Sequence, residues 1–421
     1  MVALLSPLII DHNRLDERIQ RLAKIGRQPN GSIRRLAFTP EIVRARYLVQ
    51  QWMVEAGMGV HVDAAGNLIG RYEGTDPAAP ALATGSHIDT VPSGGKFDGV
   101  LGVLAGIEAV QMLRQTQQRL THPLEVIIFT DEENTMIGAQ AIAGTAYTQD
   151  PERYRSKAGE SIQDCLELIG GNWDELATAQ RSRADMAAFI ELHVEQGAVL
   201  EHYQKEIGVV QGVVGMQRKI ITITGQANHA GTTPMDMRQD ALVTAAEIVL
   251  AVRDLAHDFP KSQPVATVGH LDVLPNAVNI VPGRVELSVD MRDLSEACLH
   301  EMVSRLEAKI DAIAAKNRTP VQINPVLCVE PTLAAPQIQT TIEGICQRLN
   351  LSYCSLPSRA GHDALEMGRI TDMGMIFVPS QHGISHSEAE YTSPEQCTAG
   401  ANVLLQTFLE LDKLYAANLR F

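Results

Sequence analysis

The stretch ALATGSHIDTVPSGGKFDGVLGVLAGIEAV (81–110), followed by LEVIIFTDEEN (124–134), decides the fold. ALATGS (81–86) and LEVIIFT (124–130) are short apolar runs without polar alternation, the pattern of strands covered on both faces. Between them, 99–118 repeats apolar residues at helical spacing. Strand, helix, strand in that order is the βαβ unit of an α/β sheet.

Upstream of this unit, Leu15, Ile19, Leu22 and Ile25 follow helical spacing, and 43–53 repeats it. GVHVDAAGNLIGRYEG (59–74) alternates around Ala-Gly-Asn and predicts a hairpin. Downstream, 151–185 is polar and mostly helical in pattern, and FIELHVEQG (189–197) is a strand running into a polar turn. Past residue 212 the rhythm changes. KIITIT (219–224), a helix over 238–258, VATVGHLDV (265–273), VELSVDMR (285–292), a helix over 294–315 and VQINPVLC (321–328) give βαββαβ. The α/β pattern then resumes with a helix near 335–350, MIFVPS (375–380) and a last helix over 394–415. The predicted organisation is an α/β domain in two pieces, 1–211 and 328–421, interrupted by a ferredoxin-like α+β domain at 212–327.

The chain has 421 residues, and 35 Lys+Arg against 50 Asp+Glu give a net charge of −15. No basic excess exists to neutralise phosphates, so no nucleic-acid partner is expected. None of the six cysteines (Cys165, Cys298, Cys328, Cys346, Cys354, Cys397) pairs at C-x-x-C spacing, which argues against zinc ribbons and dithiol redox chemistry. MVALLSPLIIDHNRLDER (1–18) lacks the basic start and small-residue cleavage site of a signal peptide. No apolar run approaches the roughly 20 residues of a membrane span. The expectation is a cytoplasmic protein without a membrane partner.

Five segments place metal-type ligands at the ends of predicted strands or in nearby turns: GSHIDTV (85–91), KFDGV (96–100), TDEEN (130–134), ELHVEQG (191–197) and GISHSEAE (383–390). Ligand sites of α/β sheets lie at the carboxyl ends of parallel strands, so these placements agree with one another. Together they predict a two-metal hydrolase, which needs a bridging carboxylate, further His and carboxylate ligands, and an open position for water. Asp98 is the natural bridge, since Gly99 beside it permits a tight turn. His87 binds one metal, with the Asp89 carboxylate expected to hold its other ring nitrogen. Of Glu132 and Glu133, one is a ligand and the other the base, because neighbours on an extended segment diverge. His193 and His386 complete the set. An imidazole and carboxylate set without cysteine suits two divalent ions per chain, zinc or manganese first, cobalt or nickel also admissible.

These motifs resemble the hydantoinase/carbamoylase amidases, a branch of the aminoacylase and carboxypeptidase-G superfamily of two-metal hydrolases. The resemblance runs through 85–106, HVEQG (193–197), NHAGTTPMDMRQDA (228–241), PNAVNIVPGRVELSVDMR (275–292), AGHDA (360–364) and FVPSQHGISHSEAE (377–390). It implies that His87, Asp98 and His193 hold one metal, that Asp98, Glu133 and His386 hold the other, and that Glu132 is the base. It further implies that the inserted domain is a lid and dimerisation domain. His229 would stabilise the oxyanion across a homodimer interface, Asn279 and Arg292 would bind the substrate carboxylate, and Gln196 would lie near the substrate. The implied activity is cleavage of the carbamoyl C–N bond of N-carbamoyl-L-amino acids or related ureido acids. Allantoate hydrolysis is the alternative, with aminoacylase, peptidase or non-catalytic binding roles behind it. The chain departs from the family pattern at Asn134-Thr135-Met136-Ile137-Gly138, where Gly-Ser-Arg-Phe is common, and at Arg359, where a small residue is common. From the residues alone, an interstrand salt bridge accounts for Arg292 as readily, and His362 reads as a helix-start residue.

Overall fold

The computed structural model describes residues 8–146, 148–260 and 262–418. The chain forms two compact units, Met1–Gly212 with Leu333–Phe421, and Val213–Thr332. Among the described residues, no helix is long and apolar enough to cross a membrane.

The larger unit carries a nine-stranded sheet. Its path runs Gly59–Val62, Leu68–Tyr72, Leu124–Ile128, Ala81–Ser86, Met186–Val194, Asp372–Val378 and Ile207–Val213, ending on the boundary strand Thr332–Leu333. Four strands at the centre, Leu124–Ile128, Ala81–Ser86, Met186–Val194 and Asp372–Val378, are mutually parallel. They are buried almost throughout, as a sheet covered on both faces requires. The helix Val100–Gln115 is buried around most of its circumference, so more than the one apolar face expected from its spacing is covered. The predicted hairpin forms as an antiparallel pair, Gly59–Val62 with Leu68–Tyr72.

Two of the longer strands have no counterpart in the periodicity. Ile207–Val213 pairs antiparallel with Asp372–Val378, and Tyr353–Ser358 pairs only with Ile207–Val213. Tyr353–Ser358 is half-exposed and contains Pro357, a composition tolerated at a sheet edge but hard to read as a strand. The polar stretch 151–185 yields one short α-helix, Ile162–Leu168, and two 3₁₀ turns, Pro151–Arg153 and Trp173–Ala179. Their apolar residues join Phe38, Ala65 and Ile137 in a small core separate from the main one.

The smaller unit is a four-stranded antiparallel sheet in the order Val321–Val329, Gly215–Thr224, Arg284–Asp293, Val265–Leu274. In sequence order this is 4-1-3-2, the ferredoxin-like arrangement. Along Arg284–Asp293, Val285, Leu287, Val289 and Met291 are buried in strict alternation. They pack with Ile248 and Val252 of the helix Ala241–His257 and Leu299, Met302 and Leu306 of the helix Glu296–Asn317. The unit continues to Thr332, beyond Cys328, because Val329 and Pro331 still close on Gly215 at the start of its first strand.

Candidate metal centre

The ligand-type side chains gather at the carboxyl ends of the four parallel strands. His87 follows Ala81–Ser86, Glu132 and Glu133 follow Leu124–Ile128, His193 closes Met186–Val194, and His386 lies beyond Asp372–Val378. Asp98 sits just before the helix Val100–Gln115. Gly99, between them, has φ +66°, and a Cβ there would lie 2.5 Å from the His87 ring. The tight turn expected at Gly99 therefore has two causes, backbone conformation and lack of room.

Asp98 is the hub. Its Oδ1 lies 3.2 Å from His193 Nε2 and 3.7 Å from His87 Nε2, and its Oδ2 lies 3.1 Å from His386 Nε2. Glu133 Oε2 is 3.7 Å from His386 Nε2, and Glu132 Oε2 is 3.5 Å from His87 Nε2. Gln196 Nε2 donates to both Asp98 oxygens, at 3.2 and 3.1 Å. His87 Nδ1 donates to the Asp89 carbonyl at 3.0 Å, and His193 Nδ1 donates to the Val194 carbonyl at 2.8 Å. These bonds engage each Nδ1 and turn both Nε2 atoms toward Asp98, and Gly99 N donates to His193 Nε2 at 3.1 Å. Here the expectation for Asp89 is corrected: its main-chain carbonyl holds His87, because the carboxylate is 3.9 Å from Nδ1 and instead accepts from Glu133 N at 3.3 Å.

The donor set fits two cations. Ligand atoms of His87, Asp98 and His193 lie within 4.8 Å of one another, as do those of Asp98, Glu133 and His386. The electrostatics call for positive charge. Burial opposes ionisation of Asp98, yet hydrogen bonds from His193 and His386 hold it well below the usual carboxylate range. Burial disfavours charge on His193 too, but Asp98 and Glu191 raise it to about 9; His386 reaches about 9 chiefly through its bond to Asp98. Burial, then the charges of Asp363, Glu133, Asp89 and Asp98, push Glu132 well above the carboxylate range. Asp131, Gln196 and His386, all flanking the centre, hold positive φ of 56°, 58° and 54°, a costly conformation outside glycine.

His362 occupies the N-cap position of Asp363–Met367 but makes no capping bond. Its buried ring instead stacks edge-on against His193 at 4.5 Å. The helix-start reading holds for its place. The departure after Glu133 folds back on its own turn: Asn134 and Thr135 both donate to the Asp131 carboxylate, at 3.2 and 2.6 Å.

The remaining predicted residues lie in the smaller unit. His229 and Asn279 come together there: Asn228–His229 pairs with Ile280–Val281, and Ala230 N donates to the Asn279 carbonyl at 2.9 Å. His229 Nδ1 accepts from Gly231 N and Thr232 N at 3.0 and 3.2 Å, which leaves its proton on Nε2 as a hydrogen-bond donor. Arg292 is elsewhere. It stands at the far end of Arg284–Asp293, roughly 26 Å from the turn that carries Asn279 at about 3.3 Å per residue. Within one chain, Asn279 and Arg292 are therefore not neighbours. Arg292 Nε pairs with Asp290 on its own strand at 2.7 Å, and Arg218 on the neighbouring strand holds Asp290 from the other side at 2.8 Å. The Arg292–Asp290 pair lies within one strand, and the Arg218–Asp290 pair joins two strands. Against the burial of Asp290, the two guanidinium groups hold it below its ordinary range.

Residues 83–410 match the model of peptidase family M20/M25/M40. The chain belongs to that family. It is similar to the N-carbamoyl-L-amino acid amidohydrolase of Geobacillus stearothermophilus, 40% identical over 408 residues, covering 96% of this chain and 99% of the relative. It is also similar to the allantoate amidohydrolase of Bacillus subtilis (strain 168), 33% identical over 409 residues, covering 95% and 97%. A crystal structure of a hydantoinase/carbamoylase family amidase from Burkholderia multivorans superposes with a TM-score of 0.90 at 36% identity, over 96% of this chain and 98% of that one. The chain is accordingly a hydrolase of C–N bonds other than peptide bonds, with the mixed α/β fold of this family.

Sequence reasoning missed the buried carboxylates behind the ligands. Glu191 accepts from Ser86 Oγ at 2.8 Å and Ala364 N at 2.9 Å, joining three of the motifs. Glu390 holds the loop of Asp98. The signal was present, since both acids lie inside quoted motifs, but nothing in the spacing separates a ligand from its support.

Proposed function

We propose that this protein is a metal-dependent amidohydrolase that cleaves the carbamoyl C–N bond of N-carbamoyl-L-amino acids or related ureido acids, releasing ammonia and carbon dioxide and leaving the free amine. The observation that carries the reading is Asp98 set between His87 and His193 on one side and His386 with Glu133 on the other. His87, Asp98 and His193 would hold one divalent ion, and Asp98, Glu133 and His386 the other. Such ions, when bound, lower the pKa of coordinated water toward about 7 and offset oxyanion charge. Glu132 accepts the water proton and returns it to the leaving nitrogen. Gln196 keeps Asp98 oriented through both carboxylate oxygens. Arg292 of its own chain and Asn279 bind the substrate carboxylate, while His229 donates a hydrogen bond from Nε2 to the oxyanion, His229 and Asn279 coming from a second copy in a homodimer.

Allantoate, itself a ureido-substituted acid, is the second reading, favoured by the Bacillus subtilis relative. A panel of N-carbamoyl-L-amino acids, β-ureidopropionate, allantoate and N-acetyl amino acids, assayed for ammonia or amine release, separates the two. The highest kcat/KM is expected on an N-carbamoyl-L-amino acid. Preference for allantoate would replace the first reading with the second, and turnover of the N-acetyl compounds alone would overturn both.

Cation binding has a separate signature. At a hundredfold excess over Kd, a ligand of the folded state alone adds about 2.7 kcal/mol of stability. Chelator-stripped protein is therefore expected to melt at a higher temperature on addition of zinc or manganese. An unchanged melting temperature with zinc, manganese, cobalt and nickel would contradict the metal assignment.

A further inference from the structure

Glu390 lies four residues past His386, and its side chain is buried. Its Oε1 accepts from two successive main-chain groups, Phe97 N at 2.8 Å and Asp98 N at 3.1 Å. Its Oε2 accepts from Ser385 Oγ at 3.0 Å, and the same hydroxyl lies 3.4 Å from Asp98 Oδ2. One carboxylate thus fastens the backbone of Asp98 to the segment that presents His386, although the two lie far apart in sequence. Gly95 backs onto it. A Cβ at Gly95 would stand 2.2 Å from Glu390 Oε1 and 2.3 Å from its Cδ, so the GGKF turn leaves room for this carboxylate and no more.

We propose that Glu390 is a positioning residue that sets the distance between Asp98 and His386 and so controls binding at the Asp98–Glu133–His386 position. The proposal rests on the metal assignment above. The other position depends on Glu390 less, because His87 and His193 are held independently by the carbonyls of Asp89 and Val194. Glu390 touches neither ion nor substrate; it acts through the main chain of one ligand and the neighbour of another. Hydrogen-bonded supports of this kind change metal affinity by about 10–100-fold.

The test titrates the chelator-stripped full chain with zinc, in competition with a chelator of known affinity. The wild type is expected to bind two ions. Glu390→Ala should keep one near its original affinity and weaken the other by about 10–100-fold. Glu390→Gln should stay close to wild type, because the amide oxygen still accepts from both N–H groups and the amide nitrogen donates to Ser385. Gly95→Ala should reproduce Glu390→Ala without altering the carboxylate chemically, and it carries the test if Glu390→Ala does not fold. A carboxylate that only stabilises the fold would lower the melting temperature of the metal-free chain and leave both constants alone. Two unchanged constants in Glu390→Ala or in Gly95→Ala, or equal weakening of both, would overturn the proposal. A wild type that binds no zinc would instead refute the metal assignment beneath it.

Discussion

Glu132→Gln is expected to lower kcat by about 10²–10⁴-fold while the protein keeps its fold and its cations. Asp98→Ala is expected to lose activity and cations together. The contrast follows from what each carboxylate touches. Asp98 meets three imidazole nitrogens and the Gln196 amide, so its removal takes a ligand from both positions at once. Glu132 stands at the edge of the centre, 3.5 Å from His87, and belongs to neither ligand group. The glutamine is isosteric and relieves repulsion among the buried acids, so Glu132→Gln should melt no lower than wild type. Metal analysis beside kcat decides the matter. Loss of one ion in Glu132→Gln, with Glu133→Gln retaining both, would exchange the roles of the adjacent glutamates.

The parts of this site that were legible in the sequence share a physical reason. Parallel strands buried on both faces must be apolar, so any His, Asp or Glu at their carboxyl ends stands out, and His87, Glu132, Glu133 and His193 all stand there. The alternating burial along Arg284–Asp293 likewise made the inserted sheet readable. What was not legible depends on three-dimensional closure. Whether Asp89 holds His87 by carboxylate or carbonyl depends on backbone direction within a three-residue turn. That Glu191 and Glu390 are supports depends on donors supplied by segments more than a hundred residues distant. Arg292 and Asn279 are 13 positions apart in sequence, yet the extended strand between them turns a short count into a long distance.

That separation gives the second large effect. His229→Ala homodimers and Glu132→Gln homodimers are each expected to be nearly inactive, the former by about 10²–10³-fold for a lost oxyanion donor. A mixture allowed to exchange subunits should recover about a quarter of the wild-type rate, since half the dimers are mixed and one site in each is whole. Arg292 and the His229–Asn279 turn occupy opposite ends of one ten-residue strand, so one substrate can use all three only if a second chain supplies part of the set. The smaller unit has surface suited to that contact: Val265–Leu274 is an edge strand with Leu271 and Leu274 exposed, and Leu242, Val243 and Leu250 are exposed on the helix Ala241–His257. Unpaired strand edges and apolar helix faces are the usual material of isologous pairing. Mixing His229→Ala with Arg292→Ala sharpens the assignment. Recovery there means that the two residues reach one site from different chains. Failure there, alongside recovery with Glu132→Gln, would mean that Arg292 crosses the interface together with His229. Failure of both mixtures despite proven exchange would mean that His229 serves its own chain, and the homodimer would lose its catalytic rationale.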